Sequence, residues 1–318
     1  VMARLGQAIG TTSYLQGWHN TSLLGGVAAT FAGARLLGFT VAETQNAVGI
    51  AASQAAGLRV QFGTEMKPLH AGLAAQQAVQ SIELTQQGFL GSAAALDTTS
   101  GYLAAYGGQE ISEATRKALL ENWGDSWRIA TPGLWFKRFP FCSAALHGAD
   151  AARQLAKLQL PVENIANIAI IFPPDGDAAL IHKHPVTGEQ GRFSIEYVVA
   201  LALLGQAYTL EKFEAKAISD QAQQLMKVMS RKYDVHHLPD SQAIPKGRFT
   251  IIRIAMADGT VHTREVSVPI GSPGMPLTDA ELEAKWQDAA PDKNNLEKVP
   301  ATIRVLEKSS LNDLMALL

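Results

Sequence analysis

A single cysteine in 318 residues leaves no partner for an internal disulfide and no thiolate set for a zinc or iron–sulfur site. A reducing compartment is the simplest setting for such a chain, and a cytoplasmic location is expected. Charge is also scarce: Asp, Glu, Lys and Arg make up 18% of the residues, below the ~25% of average soluble domains. The 27 basic and 29 acidic residues leave a net −2. That balance gives no field to hold a phosphate backbone or an anionic lipid surface, so no nucleic acid and no membrane are expected as partners. Long hydrophobic runs are missing as well. The longest, Leu23 to Phe39, is broken by Arg35 and diluted by Gly25, Gly26 and Gly33, and it falls short of the ~20 apolar residues of a membrane span. No basic-then-apolar leader opens the chain. There is no phosphate-cradling GxxxxGK[ST], no GxGxxG behind a strand, no HExxH and no GxSxG elbow. The pairs His182/His184 and His236/His237 lack a third ligand at metal spacing, so no metal and no cofactor are expected.

What is abundant is apolar: 47% of the residues, enough for a large core. Residues 1 to about 134 are rich in Ala, Gly, Gln and Leu, a composition for helices in close contact. Thr40-Val41-Ala42-Glu43 is a capping box. The helix it opens carries Val41, Val48 and Ala52 on its apolar side and is expected to end at Gly57. Pro68 suits the first turn of the next helix, which carries Leu69, Leu73, Ala75, Val79, Ile82 and Leu84 and should stop at Gly88. Val1 to Leu5 read as the middle of a helix with no lead-in, so a truncated or processed N-terminus is expected.

The composition shifts near Thr131-Pro132-Gly133. A helix is expected from about Ser143 to Leu158, then a buried strand over Ile165–Phe172, bounded by prolines. Phe193–Leu204 is an apolar helix, and Glu211–Met229 reads as one or two more. Arg248–Ala257 and Val261–Val268 flank Asp258-Gly259, a two-residue hairpin signal. Thr278-Asp279-Ala280-Glu281 is a second capping box, with a helix to about Trp286. Ala301–Leu318 reads as helix. The fold class is therefore α+β: a large all-helical domain (1–134), a smaller α+β domain (135–271), and a C-terminal segment (272–318).

Three segments carry candidate chemistry. In Gly17-Trp18-His19-Asn20-Thr21-Ser22 a histidine precedes a helix that Thr21 or Ser22 could cap, a setting that keeps imidazole neutral and able to accept a proton. In Met66-Lys67-Pro68-Leu69-His70 a lysine stands at a helix start, where a cation opposes the dipole. Such a local conflict points mildly to function. Lys137-Arg138-Phe139-Pro140-Phe141-Cys142 leads to His147 and joins two cations, a thiol and an imidazole at the junction of the blocks. Each segment has an ordinary explanation: a solvated loop histidine, a lysine in water, a core histidine, a basic linker.

Taken together, the sequence resembles the MmgE/PrpD family, which includes 2-methylcitrate dehydratase, cis-aconitate decarboxylase and iminodisuccinate epimerase. The resemblance rests on Gly17–Thr21, Met66–Gly72, Lys137–Cys142, Arg192–Tyr197 and Gly271–Thr278, in the family's order along nearly the whole chain. It implies a homodimer, and a C-terminal segment that returns to the helical domain. It also implies His19, Lys67, Lys137 and Tyr197 as catalytic residues meeting in a crevice between the domains. Thr21, His70, Cys142 and His147 are implied as lesser substrate contacts. Cys142 stands where decarboxylase-type members carry a histidine. Family members open with a long helical segment that brings an Asp and a His-Pro pair to the cleft, and the present sequence starts beyond it.

The activity implied is metal-independent lyase chemistry on a small di- or tricarboxylate. The lysines would hold carboxylates, His19 would move the proton, and Tyr197 would donate to a carboxylate or leaving hydroxyl. A 2-methylcitrate dehydratase-like hydro-lyase is expected first. An epimerase, a decarboxylase or a non-catalytic carboxylate-binding homologue are the alternatives.

Overall fold

Glycine on one helix and small or flexible side chains on its neighbour set the packing of the first part of the chain. The computed structural model describes residues 1–125, 127–289, 298–308 and 310–317. They form two compact units, Val1–Thr131 and Pro132–Leu318. The helices of the first unit are α1 (Met2–Leu15), α2 (Asn20–Leu36), α3 (Val41–Gln54), α4 (Met66–Gln86), α5 (Tyr102–Gly107) and α6 (Glu113–Leu120). Helix α2 lies along α4 because its facing positions lack side chains. A Cβ on Gly26 would overlap the Gln77 carboxamide, and one on Gly33 would overlap Ile82. Leu5, Ile9, Leu23, Leu24, Val27, Val48, Tyr102 and Leu103 form the core between α1, α2, α3 and α5.

The capping box forms as read: Glu43 N–H donates to Thr40 Oγ1, and the Glu43 carboxylate accepts from Thr40 N–H at 2.7 Å. Helix α3 stops at Gln54, three residues before Gly57, and Val41 is 77% exposed rather than part of the buried side. Helix α4 ends where expected. Gly88 N–H donates to Thr85 O and Phe89 N–H to Leu84 O, which is a Schellman closure. Its buried face differs from the one expected. Leu69, Leu73 and Val79 are exposed, while His70, Ala74, Gln77, Ala78, Ser81 and Ile82 are buried. That face carries hydrogen-bonding side chains, with Ser81 Oγ donating to Gln77 O and Gln77 Nε2 to Ala51 O, and Gln77 and Ile82 fill the space left by Gly26 and Gly33.

The second unit holds, among its described residues, a four-stranded mixed sheet of order β2-β1-β3-β4, with β1 (Ile165–Phe172), β2 (Met229–Tyr233), β3 (Thr250–Met256) and β4 (Val261–Val266). Strand β1 pairs parallel with β2 and antiparallel with β3, and β3 pairs antiparallel with β4. A single-turn helix at Ser143–Ala145 leads into α7 (Leu146–Ala156). Then come α8 (Gly188–Gly191), α9 (Ile195–Leu203) and α10 (Asp220–Met226). Helices α7 and α9 pack together, and Leu155, Ile168, Ile170, Phe172, Ile195, Leu201, Ile252 and Ile254 close the core. The α+β class with a large helical part is thus the observed architecture.

Two local readings are corrected. The stretch expected as one or two helices over Glu211–Met229 holds α10, and strand β2, which the sequence did not indicate, begins at its last residue; Ser230, Arg231 and Lys232 give the strand no apolar run, and only its edge pairing with β1 defines it. The hairpin loop is three residues, Ala257 to Gly259, because Met256 N–H donates to Thr260 O; Gly259 has φ +88. That is a three-residue loop with a left-handed last position. The second capping box is present at Thr278 and Glu281 and opens α11 (Asp279–Ala289). The tail forms α12 (Val299–Arg304) and α13 (Leu311–Met315). Ser309 and Leu318 of the expected tail helix lie outside the described residues.

Candidate active site

The loop before α2 and the loop after α3 are stitched together by backbone bonds. His19 N–H donates to Gly57 O at 3.0 Å and Arg59 N–H to Gly17 O at 2.8 Å, around an antiparallel bridge of Trp18 with Leu58. Gly57 has φ +113, and a Cβ there would stand 2.6 Å from Ser22 Cβ, so only glycine fits. This fixes His19 as the residue preceding α2. The helix starts at Asn20, earlier than expected, and His19 occupies the cap position without a side-chain cap bond. Thr21 is exposed on the first turn and does not cap.

Helix α4 brings His70 to the same place from its second turn. His19 Nδ1 and His70 Nδ1 are 2.8 Å apart, and both rings are buried. The Phe62 ring meets the His19 ring edge-on at 5.1 Å between centroids, and Lys67 Nζ lies 6.0 Å from the Phe62 centroid. Lys67 is the second residue of α4, and no acidic side chain occupies that first turn, so the cation does stand against the helix dipole. Burial first, then the Lys67 ammonium, then His70, hold the His19 imidazole down to about 4. Burial and then Lys67 lower His70 as well. Both rings are therefore neutral at pH 7, and their 2.8 Å contact carries a single proton. His70 also lines a cleft of about 480 Å³ with Ser22, Gln54, Gln61, Gln77 and Gln80.

The other expected residues belong to the second unit. Lys137 is exposed. Its neighbour Arg138 pairs with Glu281 at 2.8 Å. Cys142 is half-buried, with its N–H donating to Arg192 O at 2.8 Å. His147 is a core histidine. Its Nε2 stands 3.0 Å from Ile244 O, and its Nδ1 has no hydrogen-bond partner among the described residues. Burial first, then Arg248, bring it down to about 4, against a smaller opposing effect of backbone bonding to Ile244 and Ser267. Tyr197 is buried in α9, and its hydroxyl donates to Lys212 O at 2.9 Å, so its proton is already committed. Burial raises it above the ordinary phenol value.

Within the first unit, then, His19, His70 and Lys67 come together, and Thr21 stands exposed two residues after His19. Sequence reading missed Phe62 and the part played by Gly57; the pair Gly57 and Gly17, each followed by a backbone bridge residue, was the available signal. A larger cavity of about 1300 Å³ lies in the second unit beside Arg138, Asp150, Arg153 and Tyr208. It touches none of the expected residues, and two of its charged side chains already have partners, Arg138 on Glu281 and Asp150 accepting from Ile270 N–H at 2.7 Å. Size alone does not make it the reactive site. Among the described residues no group of three His, Cys, Asp or Glu side chains could hold a metal ion, and no helix is long and apolar enough to cross a membrane.

Comparison with known proteins defines the class. Residues 1–114 match the MmgE/PrpD N-terminal domain and residues 139–307 the MmgE/PrpD C-terminal domain. The chain belongs to the MmgE/PrpD family. Among its curated relatives is the cis-aconitate decarboxylase of Homo sapiens, 26% identical over 305 residues, which cover 93% of this chain and 60% of that protein. The cis-aconitate decarboxylase-like protein oryM of Aspergillus oryzae is 25% identical, over 99% of this chain and 68% of that protein. Cis-aconitate decarboxylase of Aspergillus terreus is 24% identical, over 99% and 67%. The chain thus spans about 60% of the length of its mammalian relative.

Proposed function

We propose that this chain carries the proton-transfer centre of a lyase acting on a small di- or tricarboxylate. One observation carries the reading: a buried, neutral imidazole at His19, paired with His70 and under the influence of the Lys67 ammonium. Cleaving a bond beside a carboxylate leaves negative charge on the substrate. A neutral imidazole accepts the proton, and a nearby ammonium stabilises the developing charge. The family resemblance adds Lys137 as a second carboxylate ligand and Tyr197 as a donor. For Tyr197 the reading requires the hydroxyl to exchange Lys212 O for a substrate oxygen. A homodimer, a cytoplasmic location and the return of 272–318 to the helical block belong to the same proposal.

Loss of water from a 2-methylcitrate-type substrate is the reaction proposed first, because Cys142 occupies the position where decarboxylase-type members carry a histidine. Loss of carbon dioxide from cis-aconitate is the second reading, favoured by the names of the relatives. Incubation of the protein with 2-methylcitrate, citrate and cis-aconitate separates them: NMR follows proton exchange and alkene formation, and released carbon dioxide is trapped. Removing a positioned base costs on the order of 10²–10⁴ in rate, and removing one charge stabiliser about 10²–10³. His19→Ala and Lys67→Ala should lose turnover on those scales. Unchanged proton exchange in both variants would remove the assignment.

A further inference from the structure

We infer that His70 is a positioning residue for His19: its Nδ1 accepts the His19 Nδ1 proton and so holds His19 in the tautomer whose Nε2 is a bare lone pair. This deepens the function proposed above and rests on it in one respect, the choice of His19 as the proton acceptor.

The argument starts from the 2.8 Å between the two Nδ1 atoms. Two lone pairs at that distance repel, and two N–H groups collide, so one nitrogen donates and the other accepts. Burial and the Lys67 ammonium disfavour a charge on either ring. Each neutral ring therefore carries one proton, and the rings are opposite tautomers. If His19 is to take a proton from substrate, its Nδ1 is already engaged, and Nε2 must be the acceptor. That places the shared proton on His19 Nδ1 and leaves His70 protonated at Nε2. His70 lines the cleft walled by Ser22, Gln54 and Gln61, whose hydroxyl and carboxamide oxygens, or water among them, suit an N–H donor. The backbone around the pair is shaped to hold it. Helix α4 fixes His70, the bridge of Trp18 with Leu58 fixes His19, and a Cβ on Gly57 would come 3.5 Å from His70 Cε1. His70 thus acts through His19; a direct substrate contact is not needed to explain it.

The test uses the whole chain, uniformly labelled with 15N-histidine, at pH 7 and without substrate. Long-range 1H–15N spectra report which nitrogen of each ring is protonated, and the His19→Gln variant identifies the His19 signals. The expected result is a protonated Nδ1 and a bare Nε2 on His19, with the reverse on His70. His70→Phe keeps a planar ring but removes the acceptor, and His19 should then move its proton to Nε2. His70→Asn presents a carbonyl oxygen near the lost nitrogen. It should retain the wild-type His19 tautomer and recover at least tenfold of the turnover lost in His70→Phe. A His19 ring protonated at Nε2 in the wild-type protein, a cationic pair at pH 7, or a tautomer unchanged in His70→Phe would each overturn the inference. The wild-type spectrum decides even where a variant does not fold. Failure of the two ideas is separable. The expected tautomers without turnover of any carboxylate overturn the lyase reading and leave the pairing standing, whereas turnover with the reversed tautomers overturns the pairing alone.

Discussion

At the scale of single residues, burial decides the chemistry of three imidazoles. His19 and His147 in the folded protein take up a proton only near pH 4, and His70 is shifted in the same direction. In the unfolded chain each binds its proton near pH 6.5. Between those values the unfolded state holds more protons, so stability rises with pH across the window. Stability should be complete above about pH 6.5 and decline as the pH falls toward 4. Urea midpoints at pH 7.5, 6 and 5 check this, and equal midpoints would refute it. The same depression moves the acid limb of any turnover well below that of an ordinary histidine. Sequence alone could place His19 before a helix and Lys67 at a helix start, because caps and dipoles are local. It could not pair His19 with His70, since 51 residues separate them. Nor could it show that His147 is a core residue and that the Tyr197 hydroxyl is taken up by Lys212 O.

At the scale of elements, the legible features were those written in adjacent residues: both capping boxes, the Gly88 stop, and the β1 strand. The buried face of α4 was not legible, because it is made of His70, Ala74, Gln77, Ala78 and Ser81 beside Ile82, and a periodicity argument counts only large apolar residues. Strand β2 was hidden for a related reason, being an edge strand defined by pairing and not by an apolar run. It carries Arg231, whose guanidinium is buried between Glu196 at 2.7 Å and Asp177 at 2.9 Å and also donates to Leu180 O. Arg231→Met leaves two buried carboxylates without their cation and should cost about 3–5 kcal/mol in urea unfolding. A smaller loss would mean that those acids regain water. In the other unit, Gly57→Ala forces a side chain into a left-handed backbone against Ser22. It should cost more than about 1 kcal/mol and disturb the His19 resonances even where the fold persists. A variant with unaltered His19 signals would show that the two stitched loops do not set the imidazole.

At the scale of the whole molecule, the α+β class followed from composition, because helix-rich and strand-bearing stretches differ in their use of Ala, Gly and β-branched residues. The family did not follow from composition; it came from short motifs in a fixed order. If the carboxylate-binding reading holds, ligand should stabilise the fold by mass action, by about 2.7 kcal/mol at a hundredfold excess over Kd. A thermal-shift series with cis-aconitate, citrate and 2-methylcitrate then ranks the candidates by Tm. A monocarboxylate such as acetate should move it little. Equal shifts for all four would count against a built site.

The sheet of the second unit has a further consequence in its two outer strands. Both bear exposed charge, Lys232 on β2 and Arg264 and Glu265 on β4. Unpaired backbone along a sheet margin invites another molecule to add on, and ionised side chains at that margin make such growth unfavourable. Filament formation from this lobe is thereby discouraged at both ends of the ladder, in a protein whose interior is otherwise rich in the residues that feed it.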